Sequence, residues 1–185
     1  AGYSLVYNNR NRTLRAGYLF LASLFFYYKS SGFFFFILLF STFVDFFIGK
    51  SIYASRRKTV RKMLVGLSVF INLLLLSYFK YAYFFAESLN VMVGTDFQMV
   101  NYLALWANEA TGTHFNVNQI LLPVGISFFT FQTISYAVDV YRGHTRPVNN
   151  LIDFGFYVSF FPQLVAGPIV RASGFVKQIY EDYHL

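Results

Sequence analysis

The polar residues of one apolar stretch, residues 120–142, are candidates for chemistry. At about 100° per residue, polar side chains fall on one helical face: Gln132, Ser135, Tyr136, Asp139 and Arg142. Polar groups inside a membrane are costly and usually turn inward. The face therefore predicts either the lining of a substrate path or hydrogen bonds that hold helices together. Asp139 and Arg142 are three residues apart, so they can pair on that face near its cytoplasmic end.

The histidines give little support for general acid–base catalysis within this sequence. His114 lies in a polar segment, His144 lies in a turn between two arginines, and His184 precedes the last residue. None lies within an apolar stretch, where a catalytic imidazole could be held in a water-poor pocket. We expect all three to be exposed to solvent.

Several common catalytic and metal-binding patterns are absent from the sequence. It contains no cysteine, no phosphate-binding loop, no dinucleotide-binding glycine pattern, no His-Glu-x-x-His and no Gly-x-Ser-x-Gly. Thiol catalysis and zinc–thiolate sites are therefore excluded for this stretch of sequence. We predict no metal and no covalently bound cofactor.

The elements that must position these residues are apolar enough for lipid. The 185 residues are 56% hydrophobic, 22% aromatic and 12% charged, whereas about a quarter of the residues of globular proteins are charged. The Phe and Tyr residues lie in continuous blocks, not in the alternating or striped pattern of a half-solvated element. The composition predicts an all-α fold, a polytopic transmembrane helical bundle.

Four stretches with little or no charge approach the roughly 20 residues that a membrane-spanning helix needs. They are residues 16–28, 30–49, 63–79 and 120–140. The first is short and would span only by thinning the bilayer or by letting flanking cations reach the headgroups. Asp45 interrupts the second, and its nearness to several cations predicts that its carboxylate extends to the membrane surface.

A dense basic segment, residues 50–62, sets the predicted orientation. Its cations are Lys50, Arg56, Arg57, Lys58, Arg61 and Lys62. Because Lys and Arg are enriched in cytoplasmic loops, this segment, the N-terminal arginines and residues 142–146 are predicted inside, and residues 29–32 and 87–119 outside. A DNA-binding or lipid-binding patch is the alternative, which the closely flanking apolar stretches disfavour.

A short helix is predicted in the outer segment, because Met99, Tyr102, Leu103 and Trp106 recur at helical spacing. It could lie on the membrane surface, where Trp106 suits the headgroup region, or pack on neighbouring spans.

Residues 151–171 predict a broken or re-entrant helix that lines an interior space. The apolar first part of this segment is too short to cross a bilayer, and Pro162, Gly167 and Pro168 interrupt the helix and free backbone polar groups. Such groups are tolerated at membrane depth only inside protein or beside a water-filled cavity. The alternative is two short helices at the cytoplasmic surface, joined by a proline turn.

Three segments resemble motifs of a known family. Residues 121–143 contain Leu-Pro-Val-Gly-Ile-Ser-Phe and end in Asp-Val-Tyr-Arg-Gly, and residues 160–171 read Phe-Phe-Pro-Gln-Leu-Val-Ala-Gly-Pro-Ile-Val-Arg. Residues 78–81, Tyr-Phe-Lys-Tyr, come earlier. Their order and spacing resemble those of the membrane-bound O-acyltransferase (MBOAT) family, alginate O-acetyltransferase type, over about residues 12–178.

The resemblance implies an enzyme that transfers an acyl group, typically acetyl, to hydroxyls of an extracytoplasmic polysaccharide or cell-wall polymer, as in alginate biosynthesis. It implies a many-helix bundle with a central funnel, a multi-pass protein of the bacterial cytoplasmic (inner) membrane. The expected partners are the lipid bilayer and either the polysaccharide acceptor or an acyl-relay protein, with no nucleic acid; the acyl donor is not identified by the sequence. The alternative is a non-catalytic membrane scaffold or transport subunit of the same fold.

Ten residues, nine at matching motif positions and Gln132 on the polar face, are expected to line the path or support the fold. They are Pro123, Gly125, Ser127, Gln132, Asp139, Arg142, Pro162, Gly167, Pro168 and Arg171. None is expected to be catalytic, because the family's catalytic histidine lies in a later segment followed by Trp-His-Gly, whereas Trp106 is the only Trp here. We therefore expect residues 1–185 to be a single membrane domain, the N-terminal part of a larger acyltransferase truncated at both ends, and inactive alone.

Overall fold

A computed structural model of the chain describes residues 12–96, 100–112, 114, 116, 120, 122–160 and 174–175. Among these residues there are helices and connecting segments but no strand, so the all-α prediction is confirmed. In chain order the helices are α1 (Arg12–Ser31), α2 (Phe35–Ala54), α3 (Lys58–Leu76), α4 (Ala82–Val93), α5 (Tyr102–Thr111), α6 (Ile126–Arg142) and α7 (Leu151–Ser159). A 3-10 turn, Gly32–Phe34, precedes α2, and a π-helical segment, Ser77–Tyr81, joins α3 to α4.

The chain divides into two compact units. The first contains Ala1–Leu73 and Val124–Leu185, and the second contains Leu74–Pro123. Within the first unit, α1 lies against α7, and α2 lies against both α6 and α7. Within the second unit, Tyr83 OH accepts a hydrogen bond from the Ile120 backbone N–H at 2.7 Å.

Among the described residues, two helical runs are long and apolar enough to cross a bilayer. They are Phe35–Ala54 and Lys58–Val93, the second of which includes the π-helical segment. On α2, four phenylalanines that are each about half exposed lie at helical spacing and form one apolar face: Phe36, Phe40, Phe43 and Phe47. A continuous phenylalanine face is unfavourable in water and favourable in lipid, so these helices are those of a membrane protein.

The second predicted span begins and ends later in the structure than the sequence suggests. Gly32 has a φ of 59°, a left-handed conformation that glycine adopts readily, and it interrupts the helix after α1. As a result α2 begins at Phe35 instead of residue 30 and continues to Ala54. Asp45 therefore lies near the middle of α2 and not near its end.

Two long-range hydrogen bonds join residues at or beside helix ends of the first unit. The Val124 backbone N–H donates to Ser31 Oγ at 3.2 Å, which joins the predicted outer turn to the residues before α6. Arg61 Nη2 donates to the Tyr141 carbonyl at 2.6 Å, which joins the basic segment to the C-terminus of α6. Each bond thus joins helix ends that the predicted orientation puts on the same side of the membrane, while the crossing itself stays a prediction.

The helix α7 is buried within the first unit. Its nine residues extend about 14 Å, which is too short to cross a bilayer. Phe154, Tyr157, Val158 and Ser159 have no exposed surface. This burial shows that α7 packs on other helices of the unit, and its position at membrane depth stays a prediction. The interruption predicted at Pro162, Gly167 and Pro168 lies outside the described residues.

Two glycines allow close helix contacts in this unit. A Cβ atom on Gly49 of α2 would lie 2.5 Å from Tyr136 Cε1, and one on Gly155 of α7 would lie 2.7 Å from the Phe20 ring. Atoms in proteins do not approach so closely without displacement. These positions therefore require glycine for α2 to meet α6 and for α1 to meet α7.

Candidate functional site

A buried polar cluster joins α2, α3 and α6. It consists of Ser41, Asp45, Ser68, Asn72 and Thr133, each at most 1% exposed. Within both α2 and α3 the polar residues are four positions apart, so that they share one face of their helix. The two faces point at each other, and Thr133 is contributed by α6.

The carboxylate of Asp45 is the centre of this cluster. Ser68 Oγ donates to Asp45 Oδ1 at 2.5 Å, and Asn72 Nδ2 donates to Asp45 Oδ2 at 2.7 Å. On its other side, Asn72 Oδ1 accepts hydrogen bonds from Ser41 at 3.2 Å and from Thr133 at 3.0 Å. Both carboxylate oxygens therefore have a donor, as a buried polar group requires.

The prediction that Asp45 extends to the membrane surface is wrong. Asp45 is 0% exposed, and the nine residues between it and the end of α2 correspond to about 14 Å, beyond the reach of its short side chain. Lys50 Nζ lies instead 4.5 Å from the centroid of the Phe46 ring. Hydroxyl and amide donors take the place of the expected cation.

Gln132 and Tyr157 join α6 to α7 by two reciprocal hydrogen bonds. Gln132 Nε2 donates to the Tyr157 carbonyl at 2.8 Å, and Tyr157 OH donates to the Gln132 carbonyl at 3.3 Å. One turn later, Tyr136 OH accepts from the Val148 backbone N–H at 3.2 Å. The Tyr136 ring packs on Phe154 with 4.5 Å between centroids. The inner face of α6 is thus used for contacts between helices in the described residues.

The C-terminus of α6 is closed by backbone and side-chain donors. Gly143 has a φ of 78°, its N–H donates to the Val140 carbonyl at 3.2 Å, and the His144 N–H donates to the Asp139 carbonyl at 2.9 Å. This is the Schellman pattern of helix ends. Arg61 adds its hydrogen bond to the Tyr141 carbonyl, where a cation also complements the helix dipole.

Asp139 contacts His144 and not Arg142, although the spacing allows a pair with Arg142. The Schellman turn carries His144 back over the helix end, so that His144 Nδ1 lies 3.5 Å from Asp139 Oδ1. Among the described residues no ion pair joins Asp139 to Arg142, which is exposed. Asp139 Oδ2 is buried and has no hydrogen-bond partner within the same residues.

The other predicted residues lie at the start of α6 or beyond the description. Pro123 is buried, and Gly125, with a φ of 73°, caps the N-terminus of α6. Ser127 is half-buried in the first turn. Pro162, Gly167, Pro168 and Arg171 lie outside the described residues. That the whole set lines a path or supports the fold stays a prediction.

Exposed histidines are found where the sequence predicts them. His114 and His144 are exposed, although the contact of His144 with Asp139 was not expected, and His184 lies outside the described residues. In the described ranges no group of three or more His, Cys, Asp or Glu residues could hold a metal ion. Neither exposed histidine is placed to act as a base in a dry pocket.

The sequence did not reveal Ser41, Ser68 and Asn72 as partners of Asp45. The available signal was their spacing, since Ser68 and Asn72 are four residues apart in the otherwise apolar residues 63–76, and Ser41 and Asp45 are also four residues apart. Two such pairs on neighbouring apolar helices favour mutual hydrogen bonding, because each would otherwise face lipid.

An apolar groove of about 410 Å³ opens on the first unit. It is lined by residues of α1, α2 and α7: Phe20, Phe36, Leu39, Phe40, Thr42, Phe43, Leu151 and Ile152. Its walls are nearly all hydrocarbon, so this groove offers no group that could activate a hydroxyl.

The chain is similar to bacterial proteins named for O-acetylation. The "Probable alginate O-acetylase AlgI" of Pseudomonas aeruginosa is 41% identical over 77% of this chain and 25% of its own length. The protein of the same name from Azotobacter vinelandii is 39% identical over 77% of this chain and 26% of its own length. A "Peptidoglycan O-acetyltransferase" of Helicobacter pylori is 29% identical over 87% of this chain and 32% of its own length.

These similarities confirm the resemblance that the motifs indicate. The chain spans about a quarter of the length of the alginate relatives it matches. No family model and no solved structure matches the chain.

Proposed function

We propose that the chain, a homologue of alginate O-acetylases over three quarters of its length, is part of a membrane-embedded O-acyltransferase. The complete protein transfers an acyl group, typically acetyl, to hydroxyls of an extracytoplasmic polysaccharide or cell-wall polymer. The observation that carries this proposal is the 41% identity over 77% of the chain. The aligned region is much longer than the motifs alone. The relatives named for alginate and for peptidoglycan both modify carbohydrate-containing polymers by their names.

In this reaction the hydroxyl oxygen of the acceptor attacks the acyl carbonyl carbon, and the bond from that carbon to the donor's leaving group breaks. The hydroxyl proton passes to a general base, and the leaving group takes up a proton. The Asp45 carboxylate is an unsuitable base, because it is 0% exposed and both of its oxygens accept hydrogen bonds from within the helix cluster. In this proposal the described residues form a frame beside the reacting groups, and the base lies outside them, as the later catalytic histidine of the family that the sequence resembles implies.

The proposed protein crosses the bacterial inner membrane several times. The apolar face of α2 supports this topology. The hydrogen bonds of Arg61 with Tyr141 and of Ser31 with Val124 also support it, because they join helix ends at the two predicted sides of the membrane. In this proposal the acyl group is passed either to the polymer itself or to an acyl-relay partner protein.

The function is tested in cells, where the acyl donor need not be known. Deleting the gene should abolish the O-acyl groups of the cell's surface polysaccharide or cell wall, and the full-length gene should restore them, as measured by mass spectrometry of the isolated polymer. A polymer whose O-acyl content is unchanged by the deletion would contradict the enzyme hypothesis.

The role of Asp139 is tested in the same strain. Asp139→Asn keeps the shape of the side chain but removes the charge at the inner end of α6, and we expect O-acylation to fall about tenfold or more, as for a group that orients an active site. Glu87→Gln, the same chemical change at an exposed carboxylate, is the control and should have no effect. Equal activity in both variants, at equal membrane abundance, would favour a purely structural role for Asp139.

A further inference from the structure

A group of exposed cations surrounds the turn between α2 and α3. We call it the basic rim, and it consists of Lys50, Arg56, Arg57, Lys58 and Lys62, all of which are exposed. Arg61 differs from them, since it is half-buried and donates to the Tyr141 carbonyl. The sequence has no Asp or Glu between Asp45 and Glu87, and among the described residues no ion pair joins the rim to a carboxylate. The charge of the rim is therefore not neutralised by the described part of the protein.

The position of these cations is unfavourable for the helix that carries them. Lys58 and Lys62 lie in the first two turns of α3, and the first turn contains no acidic residue. Positive charges at a helix N-terminus oppose the helix dipole, and like charges four residues apart repel each other. An anion outside the described residues would relieve both effects.

Exposed apolar side chains border the basic rim on both helices. Phe47 and Tyr53 are about half exposed on α2, and Met63, next to Lys62 on α3, is 69% exposed. A tyrosine beside a row of cations, with hydrocarbon further along both helices, is typical of the headgroup level of a bilayer. Contrary to the expectation from the sequence, the apolar side chains beside these cations favour a lipid as ligand, because nucleic acid would satisfy the cations but leave these side chains in water.

We propose that the basic rim binds the phosphate headgroups of anionic phospholipids in the cytoplasmic leaflet. The headgroup phosphate lies among the rim cations, and the acyl chains follow the apolar side chains of α2 and α3 toward the bilayer centre. Each cation near an anionic bilayer surface raises the binding constant for that surface about fivefold. Five cations therefore select anionic over zwitterionic lipid, and added salt weakens the selection.

The experiment uses the full-length protein in detergent, titrated with phosphatidylglycerol or with phosphatidylcholine of the same acyl chains, and bound lipid is counted by native mass spectrometry. The wild type should prefer phosphatidylglycerol. Lys58→Gln combined with Lys62→Gln should weaken phosphatidylglycerol binding by about 25-fold, two factors of about five, and leave phosphatidylcholine binding unchanged.

The matched control is Lys29→Gln combined with Lys80→Gln, two exposed lysines at the predicted outer ends of the spans 16–28 and 63–79, and it should retain the preference. A second rim variant, Arg56→Gln combined with Arg57→Gln, lies in the turn between the helices and leaves α3 unchanged. It should also weaken phosphatidylglycerol binding, so it tests the proposal even where the α3 variant does not fold. The proposal is overturned if the wild type shows no preference, if the control loses as much as the rim variants, or if a short DNA duplex binds the rim more tightly than phosphatidylglycerol does.

Discussion

At the scale of single residues, the Asp45 carboxylate is held by uncharged donors in the middle of an apolar helix. A buried ionised carboxylate costs several kcal/mol unless hydrogen bonds compensate it. Ser68 and Asn72 supply those bonds from the next helix, and Asn72 passes the connection on to Thr133. One acidic residue thus links three helices without a counter-ion in the cluster.

Replacing Asp45 by Ala should destabilise the full-length protein by about 2–4 kcal/mol, because two buried donors lose their acceptor. Asp45→Asn should cost less, since its amide oxygen can still accept one bond. Thermal unfolding in detergent measures both, with Asp96→Ala at an exposed position as the control, which should change stability by less than about 0.5 kcal/mol. Similar unfolding of Asp45→Ala and wild type would contradict the proposed role of the cluster.

At the scale of helices, close contact between α2 and α6 depends on the absence of a side chain at Gly49. Gly49→Ala would place a methyl group 2.5 Å from the fully buried Tyr136 ring, and the displaced ring should cost about 1–3 kcal/mol. Gly66→Ala is a good control, because nothing lies within 4 Å of the added atom on α3. The control should be neutral or slightly stabilising. Equal free energies of chemical unfolding for the two variants would contradict a close contact between Gly49 and Tyr136.

The C-terminus of α6 depends on a residue of α3. Arg61→Ala removes the donor to the Tyr141 carbonyl and should cost about 1–3 kcal/mol, because the carbonyl loses a charged partner. Arg57→Ala removes an exposed cation from the neighbouring turn and should cost much less. The two variants are compared by their unfolding midpoints in detergent, and equal midpoints would rule out the stabilising role of Arg61.

Much of the helical layout could be predicted from the sequence, because apolar runs and glycine breaks are local signals. The stretches around α1, α2, α3 and α6 were identified in this way, and so was the inward face with Gln132 and Tyr136. The start of α2 was misplaced because Gly32 can either continue or interrupt a helix. The partners of Asp45 and the contact of Asp139 with His144 depend on how helices and turns meet in space, which a single sequence does not encode locally.

At the scale of the whole molecule, the predicted orientation can be tested because these 185 residues contain no cysteine. In a full-length protein freed of any cysteine elsewhere, Thr59→Cys and His144→Cys should react only with reagents on the cytoplasmic side. Ser30→Cys and Asn116→Cys should react only from outside. All four positions are exposed, so poor reactivity would not arise from burial. Labelling of Thr59→Cys and Ser30→Cys from the same side would refute a crossing by α2.

The two hydrogen bonds between Gln132 and Tyr157 have a consequence for how this interface tolerates sequence change. Each bond uses the side chain of one residue and the main-chain carbonyl of the other, so each of the two bonds depends on one side chain. Losing one side chain by mutation leaves the second bond intact and the axial alignment of α6 and α7 still specified. The two positions can therefore be substituted one at a time. A shift of α7 along α6 by one residue would instead break both bonds together.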